Sequence, residues 1–252
     1  MRDSFEFRGK KVLVTGGARG IGLELSRQLV AKGASVVAVG RDAETLAALA
    51  EELGQAVATR QADLSQPEAV PALTAWMHDQ HSDCSVLINN AAVMHHLDLT
   101  EDSLDRLEAI GTEVAINTTA PLQLAVAMLP VLRAHSSAVI VNVTSGLAIA
   151  PKRDAAVYCA TKAALRSFTR SLRDQCRAAG LSVRVCEAVM TLVDTTLSRP
   201  APVRKYPPAE AARDVIAGVE RGLEEIWIEK TKLLRLVHRL SPSLAYRIMR
   251  DR

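Results

Sequence analysis

The sequence predicts an α/β fold: a single doubly wound domain in which a parallel sheet of about seven strands is flanked by helices on both faces. Three observations carry this. Short β-rich runs alternate with helical segments of about ten residues or more, the pattern of right-handed βαβ crossovers. A glycine-rich turn, with glycines at 16, 20 and 22, joins the first such run to the first helix. Of the 252 residues, 48% are hydrophobic but only 3% aromatic, so the core must be built from Val, Leu, Ile and Ala. Those residues suit a parallel sheet buried on both faces.

The elements follow in order. Residues 11–15 form the first strand. Helical spacing runs over 21–32 and stops at Gly33, a C-terminal signal. Residues 35–39 form the second strand, and 43–53 a helix closed by Gly54. Strands are expected at 55–60, 85–89, 138–144, 182–187 and 225–228, with a long amphipathic helix over about 154–179. There is no linker in the first 195 residues and no internal repeat. The proline-rich stretch 199–208 is the one irregular segment, and residues 190–208 are expected to form a substrate loop over the sheet's active edge. Residues 1–252 therefore read as one dinucleotide-binding and catalytic domain.

Composition excludes several classes. A net charge of +3 without a basic run interleaved with aromatics argues against nucleic acid. The four cysteines, Cys84, Cys159, Cys176 and Cys186, show neither C-x-x-C nor metal-ligand spacing, so no metal is expected and the thiols should be reduced and buried. Residues 1–9 do not read as a signal peptide. The longest apolar stretch, 122–132, is broken by Gln123 and Pro130 and falls short of the ~18 residues a membrane span needs. The expectation is a cytoplasmic protein.

The turn reads Thr15-Gly16-Gly17-Ala18-Arg19-Gly20-Ile21-Gly22. Gly16 permits a tight turn, Gly20 lets the backbone approach a pyrophosphate, and Gly22 lets the helix pack close to the strand. The helix that starts near Ile21 supplies free N–H groups for phosphate. This is a Rossmann-type element with G-x-x-x-G-x-G spacing. In that spacing, with Thr15 before it, the chain resembles the short-chain dehydrogenase/reductase family, which has one doubly wound domain and places its substrate at the carboxyl ends of the strands.

An NAD-binding site usually ends its second strand with an acid on the ribose hydroxyls. Here that position is Gly40, followed by Arg41, with Arg19 inside the turn. Two guanidiniums suit a 2′-phosphate, so NADP(H) is expected rather than NAD(H). Asp42 complicates this unless it caps the helix that follows. The resemblance further implies that Asp63 and Leu64 meet the adenine, although Asp63 also reads as a helix cap. It implies that Asn90 and Ala91, in the run Asn89-Asn90-Ala91-Ala92, wall the cofactor.

Tyr158 and Lys162, four residues apart on a helix, share a face. A phenol of pKa about 10 is a poor acid–base group at neutral pH unless a nearby ammonium lowers it. Ser145 follows the strand 138–144, thirteen positions before Tyr158, where a hydroxyl can hold a substrate oxygen. Thr144 competes for that role, and the spacing favours Ser145. Asn117 lies in a helix, where Asn is mildly unfavourable, and can hold a water that links the lysine to solvent. Asn117, Ser145, Tyr158 and Lys162 resemble the family's Asn-Ser-Tyr-Lys tetrad. That implies hydride transfer between the nicotinamide and a small carbonyl or alcohol substrate, with Tyr158 as the acid–base group. An imine reductase, and a dinucleotide-binding sensor or scaffold without turnover, remain alternatives.

After the sixth strand the family carries Pro-Gly, a hydrophobic residue on the nicotinamide amide, and Thr. Here Val193 and Thr195 match while Met190 and Thr191 replace Pro-Gly, so a locally different turn is expected. The runs Gly40-Arg41, Asn142 through Ala148 and Val193-Asp194-Thr195 are similar to a bacterial subgroup of the family, the DltE-like oxidoreductases. Residues 229–252 carry seven basic and two acidic residues among interleaved leucines. They read as an amphipathic helix pair packing across the cleft or at a subunit interface, with a membrane surface or an acidic partner as alternatives. His95 and His96, which follow the cofactor wall, are expected in a solvated loop, with lining of the pocket as the alternative. The resemblance implies a homo-oligomer, dimer or tetramer, whose long helices would present Leu122, Leu124, Val126, Leu165, Phe168 and Leu172.

Overall fold

The structure is a computed structural model that describes residues 4–100, 104–198 and 204–251. Residues 199–203 of the expected substrate loop and Arg252 of the basic C-terminal segment lie outside these, as do residues 1–3 and 101–103. The described chain runs β1 (Lys11–Thr15), α1 (Gly20–Ala31), β2 (Ser35–Gly40), α2 (Ala43–Leu53), β3 (Val57–Gln61), α3 (Ala69–Gln80) and β4 (Cys84–Asn89). It continues through α4 (Asp105–Val114), α5 (Ala120–Leu132), β5 (Ala138–Ser145), α6 (Ala156–Ala178), β6 (Val183–Met190), α7 (Pro208–Glu220) and β7 (Glu225–Trp227). Two short helices, α8 (Thr231–Leu240) and α9 (Pro242–Met249), close it.

All seven strands are parallel, in the order β3-β2-β1-β4-β5-β6-β7. The chain winds outward from β1 to β3, then returns to place β4 beside β1. At that reversal the flanking crossovers diverge and open a crevice at the strands' carboxyl ends. Alternation along the strands splits the core. Val12 and Val14 pack with Leu25, Leu29 and Val215 on one face, whereas Leu13 packs with Leu73, Leu124 and Met128 on the other. The four cysteines are free and buried.

Several boundaries move. β3 starts at Val57, because Gly54, at φ +58°, opens a 3-10 turn over Gly54–Ala56. β6 runs on to Met190, since no Pro-Gly pair interrupts its pairing of Ser145 with Met190. α4 and α5 join through a π-turn, Ala115–Thr119, into one helical run over 106–132. By length and composition alone that run could cross a membrane; here its apolar side lies under β4 and against α3 and α6.

The faces of the long helices differ from expectation. Leu124, Leu165 and Leu172 are buried core residues, while Val126 is exposed. The outward face of α6 is instead the small-residue series Ala160, Ala163, Ala164, Ser167 and Ser171. Helical periodicity marks one apolar stripe, and the sheet claimed it. The C-terminal pair α8–α9 packs Leu234, Ala245 and Met249 on Ala150, leaving Leu233, Leu236 and Leu240 exposed.

Candidate active site

The glycine turn builds the crevice floor. Gly16 (φ +65°) and Gly20 (φ +53°) sit in the left-handed region that favours glycine. A Cβ on Gly20 would meet the Thr195 methyl at 3.1 Å, so Thr195 of the β6–α7 connection closes over the turn. A Cβ on Gly22 would lie 1.9 Å from the Gly16 carbonyl oxygen and 2.7 Å from Asn90 Nδ2. Gly22→Ala is therefore expected to cost about 3 kcal/mol or more and lower Tm by about 6–12 °C in thermal melts. Gly17, which sequence reading passed over, is also confined, though less tightly: its Cβ would meet Ala38 of β2 at 2.9 Å. α1 starts after Arg19 with no side-chain cap and no acid in its first turn, so its leading N–H groups face the crevice unneutralised. Ile21 turns from that first turn into the core.

Asn90 ties this floor to β4. Its Nδ2 donates to the Thr15 carbonyl at 3.0 Å, and the backbone N–H groups of Asn90 and Ala91 donate to Thr15 Oγ1 at 3.0 Å each. At the far end of the crevice, Arg19 pairs with Asp42. Asp42 also caps α2 by accepting from the Thr45 N–H at 2.9 Å. That bond, with the Arg19 charge adding to it, holds the Asp42 carboxyl below the usual carboxylate range. Asp63 does not cap α3, which starts six residues later. It accepts from the Ser65 N–H (3.0 Å) and hydroxyl (2.8 Å). Burial would raise its pKa, but those bonds and the Arg41 charge outweigh it and the net shift is downward. Leu64 beside it is buried in the core.

The four tetrad-like residues converge at the carboxyl end of β5. Tyr158, Lys162 and Ser145 are at most 8% exposed and Asn117 is fully buried. Ser145, the last residue of β5, stands beside Tyr158, and its Oγ accepts the Leu147 N–H at 3.1 Å. Thr144 points the other way and donates to buried Glu187 at 2.6 Å, so of the two hydroxyls it is that of Ser145 that faces Tyr158. Lys162 Nζ donates to the Val143 carbonyl at 2.9 Å and lies 5.7 Å from the Tyr158 ring centre. Burial lowers the Lys162 pKa to about 8, against an opposing pull from Glu113. For Tyr158 burial again dominates and pushes the phenol well above its ordinary value; the Ser145 hydrogen bond opposes, while Cys159 and Glu113 add to the rise. The lowering expected from the lysine is not seen: desolvation sets the direction and keeps the phenol in its protonated form.

Asn117 sits in the π-turn rather than a regular helix, a distortion that recurs at functional sites. Its Oδ1 accepts the Val93 N–H at 2.9 Å, and its Nδ2 donates to the Val93 carbonyl at 2.7 Å and to Thr161 Oγ1 at 3.3 Å. Both amide hydrogens are thereby committed to fixing the crevice wall on α6. Val193 forms a parallel bridge with Tyr206, in which Leu192 and Asp194 supply the backbone bonds. The N–H and carbonyl of Val193 itself therefore turn to the opposite edge.

His95 and His96 lie in the irregular segment after β4. His95, its side chain 37% exposed, has Nδ1 3.2 Å from Glu113 Oε2, whereas His96 turns inward, its side chain 8% exposed and 3.2 Å from Asp154. Glu113 itself carried no readable sequence signal. It is one of several acids on a mixed helix, and only packing reveals that it is fully buried.

A model of the short chain dehydrogenases matches residues 10–204. The chain is 36% identical over 230 residues to an uncharacterized oxidoreductase, DltE, of Bacillus subtilis, covering 89% of this chain and 90% of that protein. It is 34% identical to an NADP-dependent 3-hydroxy acid dehydrogenase, YdfG, of Salmonella typhi, covering 73% of each. A short chain dehydrogenase from Burkholderia cenocepacia, solved in complex with NADP, superposes with a TM-score of 0.85 at 27% identity, covering 97% of this chain and 99% of that one.

Proposed function

The chain belongs to the short-chain dehydrogenase family, and on that premise we propose that it is an NADP(H)-dependent oxidoreductase interconverting a small carbonyl compound and its alcohol, with Tyr158 as the acid–base group. The oxidoreductase family is established by the match over residues 10–204. The finer reading is carried by one observation: Ser145, Tyr158 and Lys162 are buried together at the end of β5, in the crevice that the glycine turn floors.

The crevice fits a dinucleotide. Positive-φ glycines at 16 and 20 keep side chains out of the floor, and the uncapped start of α1 offers N–H groups and positive potential to a pyrophosphate. In this reading Gly16, Gly20, Ile21 and Gly22 hold the pyrophosphate, and Arg19 and Arg41 hold the 2′-phosphate. Asp63 and Leu64 meet the adenine, and Asn90 and Ala91 form the wall. Lys162 reaches the nicotinamide ribose with the N–H groups it does not spend on Val143, and Val193 and Thr195 hold the carboxamide end. When bound, the nicotinamide supplies the hydride for reduction or takes it up in oxidation.

The chain's own residues do the rest. Ser145 hydrogen-bonds the substrate oxygen and orients it at the phenol. Tyr158 gives its proton to that oxygen as negative charge develops there. Lys162, held under the site by the Val143 carbonyl, keeps a positive charge beside the resulting phenolate. Asn117 fixes the wall at Val93 and keeps α6 in register.

The test is consumption of NADPH and of NADH over a panel of ketones, aldehydes, quinones and cyclic imines. NADPH-dependent turnover of a carbonyl class supports the reading. Turnover with NADH alone, or none in protein that binds NADPH, counts against it. Arg41→Ala is expected to raise the KM for NADPH about tenfold or more, the worth of a charge-assisted hydrogen bond, while leaving the KM for NADH unchanged. Equal effects on both would remove Arg41 from the 2′-phosphate.

A further inference from the structure

Glu113 is the buried ionisable group beside the site that the mechanism above leaves idle. Its side chain is fully buried. Oε2 accepts the His95 backbone N–H at 3.1 Å and faces His95 Nδ1 at 3.2 Å, while Oε1 has no hydrogen-bond partner among the described residues. A carboxylate in such a place costs free energy, and burial accordingly raises its pKa. A half-satisfied buried carboxylate calls for a reason.

The topology says where it lies. β4 and β5 are parallel, so the crossover helices that follow them run the same way. Asn117 touches Thr161 on α6, and Thr161 in turn donates to the Tyr158 carbonyl at 2.8 Å. One turn back from Asn117 is Glu113; one turn back from Thr161 and Lys162 is Tyr158. α4 packs on α6 at this level. The ionisable groups around Glu113 are His95 and His96 from the segment after β4, and Tyr158, Cys159 and Lys162 from α6. Asp154 reaches it only through His96. In this low-dielectric setting a negative charge on Glu113 favours the protonated form of both Tyr158 and Lys162.

We infer that Glu113, gripped by His95, is a positioning residue for the acid–base pair: its buried charge sets the pH at which Tyr158 gives up its proton and keeps Lys162 cationic. Glu113 touches no reacting atom. Its two bonds to His95 fix the crevice wall two residues beyond the point where Asn117 fixes it at Val93, so it aligns the wall as well as charging it. Electrostatics and alignment separate by substitution. Glutamine can still accept both His95 bonds but carries no charge.

The inference rests on the proposed role of Tyr158, yet it is measured without turnover. The chain has three tyrosines, Tyr158, Tyr206 and Tyr246. With 13Cζ-labelled tyrosine in the full chain saturated with NADP+, the Tyr158 signal is the one missing from Tyr158→Phe, and its titration is followed by NMR. Glu113→Gln is expected to lower the Tyr158 midpoint by about one pH unit. Glu113→Met, which fills the site with apolar volume, should act in the same direction and serves if the glutamine variant folds poorly. A midpoint moved by less than about 0.2 unit overturns the inference. Burial holds this phenol above its ordinary value, so the Lys162 ammonium, whose proton leaves near pH 8, is followed in parallel by 13Cε-lysine labelling and assigned with Lys162→Met. Glu113→Gln is expected to lower the Lys162 midpoint too, and an unmoved Lys162 midpoint overturns the inference where Tyr158 does not titrate below about pH 11. With a substrate in hand, the basic limb of kcat/KM for reduction should shift by the same amount. If Tyr158→Phe keeps its turnover while the midpoint still moves, the catalytic reading of Tyr158 fails and the electrostatic one stands.

Discussion

Tyr158→Phe is expected to lower kcat by about 10²–10⁴-fold with the best carbonyl substrate, the usual contribution of a positioned general acid, and to leave NADPH binding and the fold intact. The substitution removes one oxygen. The ring stays packed between Met94, Ala155, Cys159, Leu147 and Leu197, so no cavity forms. What is lost is the only phenol at the end of β5 and the partner of the Ser145 hydroxyl. At neutral pH the phenol is protonated in both the folded and the unfolded chain, so its raised pKa does not enter, and the lost hydrogen bond to Ser145 should lower Tm by about 2–4 °C. The measurement is steady-state kinetics with both proteins, beside NADPH titration by fluorescence and a thermal melt. A kcat within threefold of wild type, in a variant that binds NADPH normally, would take Tyr158 out of the mechanism.

Lys162→Met should be nearly as damaging to turnover and opposite in its effect on stability. At 2% exposure the ammonium is held at a pKa of about 8 where a free lysine sits at 10.5. Keeping it charged at neutral pH therefore costs the folded protein about 3 kcal/mol. Methionine fills the same channel without that cost, but strands the Val143 carbonyl that Nζ now satisfies, a loss of about 1–3 kcal/mol. The net expectation at pH 7 is a gain of about 1 kcal/mol, or about 2–4 °C in Tm, alongside a large fall in kcat and weaker NADPH binding. The pH dependence has a definite sign. The native state releases this proton near pH 8 and the unfolded chain near 10.5, so wild-type stability from this group rises with pH between those values. The advantage of Lys162→Met should shrink over the same window. Melts of the cofactor-free proteins at pH 7 and pH 10 decide it; a lower Tm for the variant at pH 7 would mean that the buried ammonium is a stabilising element. The trade resembles other sites where function is kept at some expense of stability.

The α/β class, the seven strands and the crevice at the β1–β4 reversal were legible because local signals agree at every level. β-branched runs, glycines past helix ends and a glycine turn between strand and helix all point one way. The tetrad-like residues were legible for a related reason. Tyr158 and Lys162 are linked by helical spacing and Ser145 by its place at a strand end, so their meeting follows from the fold class.

Other features depended on contacts between distant segments. Thr144 and Ser145 both offer a hydroxyl at the strand end; spacing to Tyr158 favours Ser145, but the buried Glu187 that holds Thr144 is brought there only by the fold. Gly17 and Gly22 are both glycines in a turn, yet their need for hydrogen in place of Cβ comes from Ala38 on β2 and from the turn's own Gly16 carbonyl. Leu165 and Leu172 lay on an apolar stripe that fitted a partner subunit as well as a core, and the sheet took them.

Composition and periodicity thus determined the fold class, the sheet's direction and the place of the site, because strand and helix periods and turn chemistry are properties of neighbours in the chain. Tertiary structure alone decided the charge state of that site. The pKa values of Tyr158, Lys162 and Glu113 depend on desolvation and on charges brought from other elements, and neither quantity exists until α4 has packed on α6.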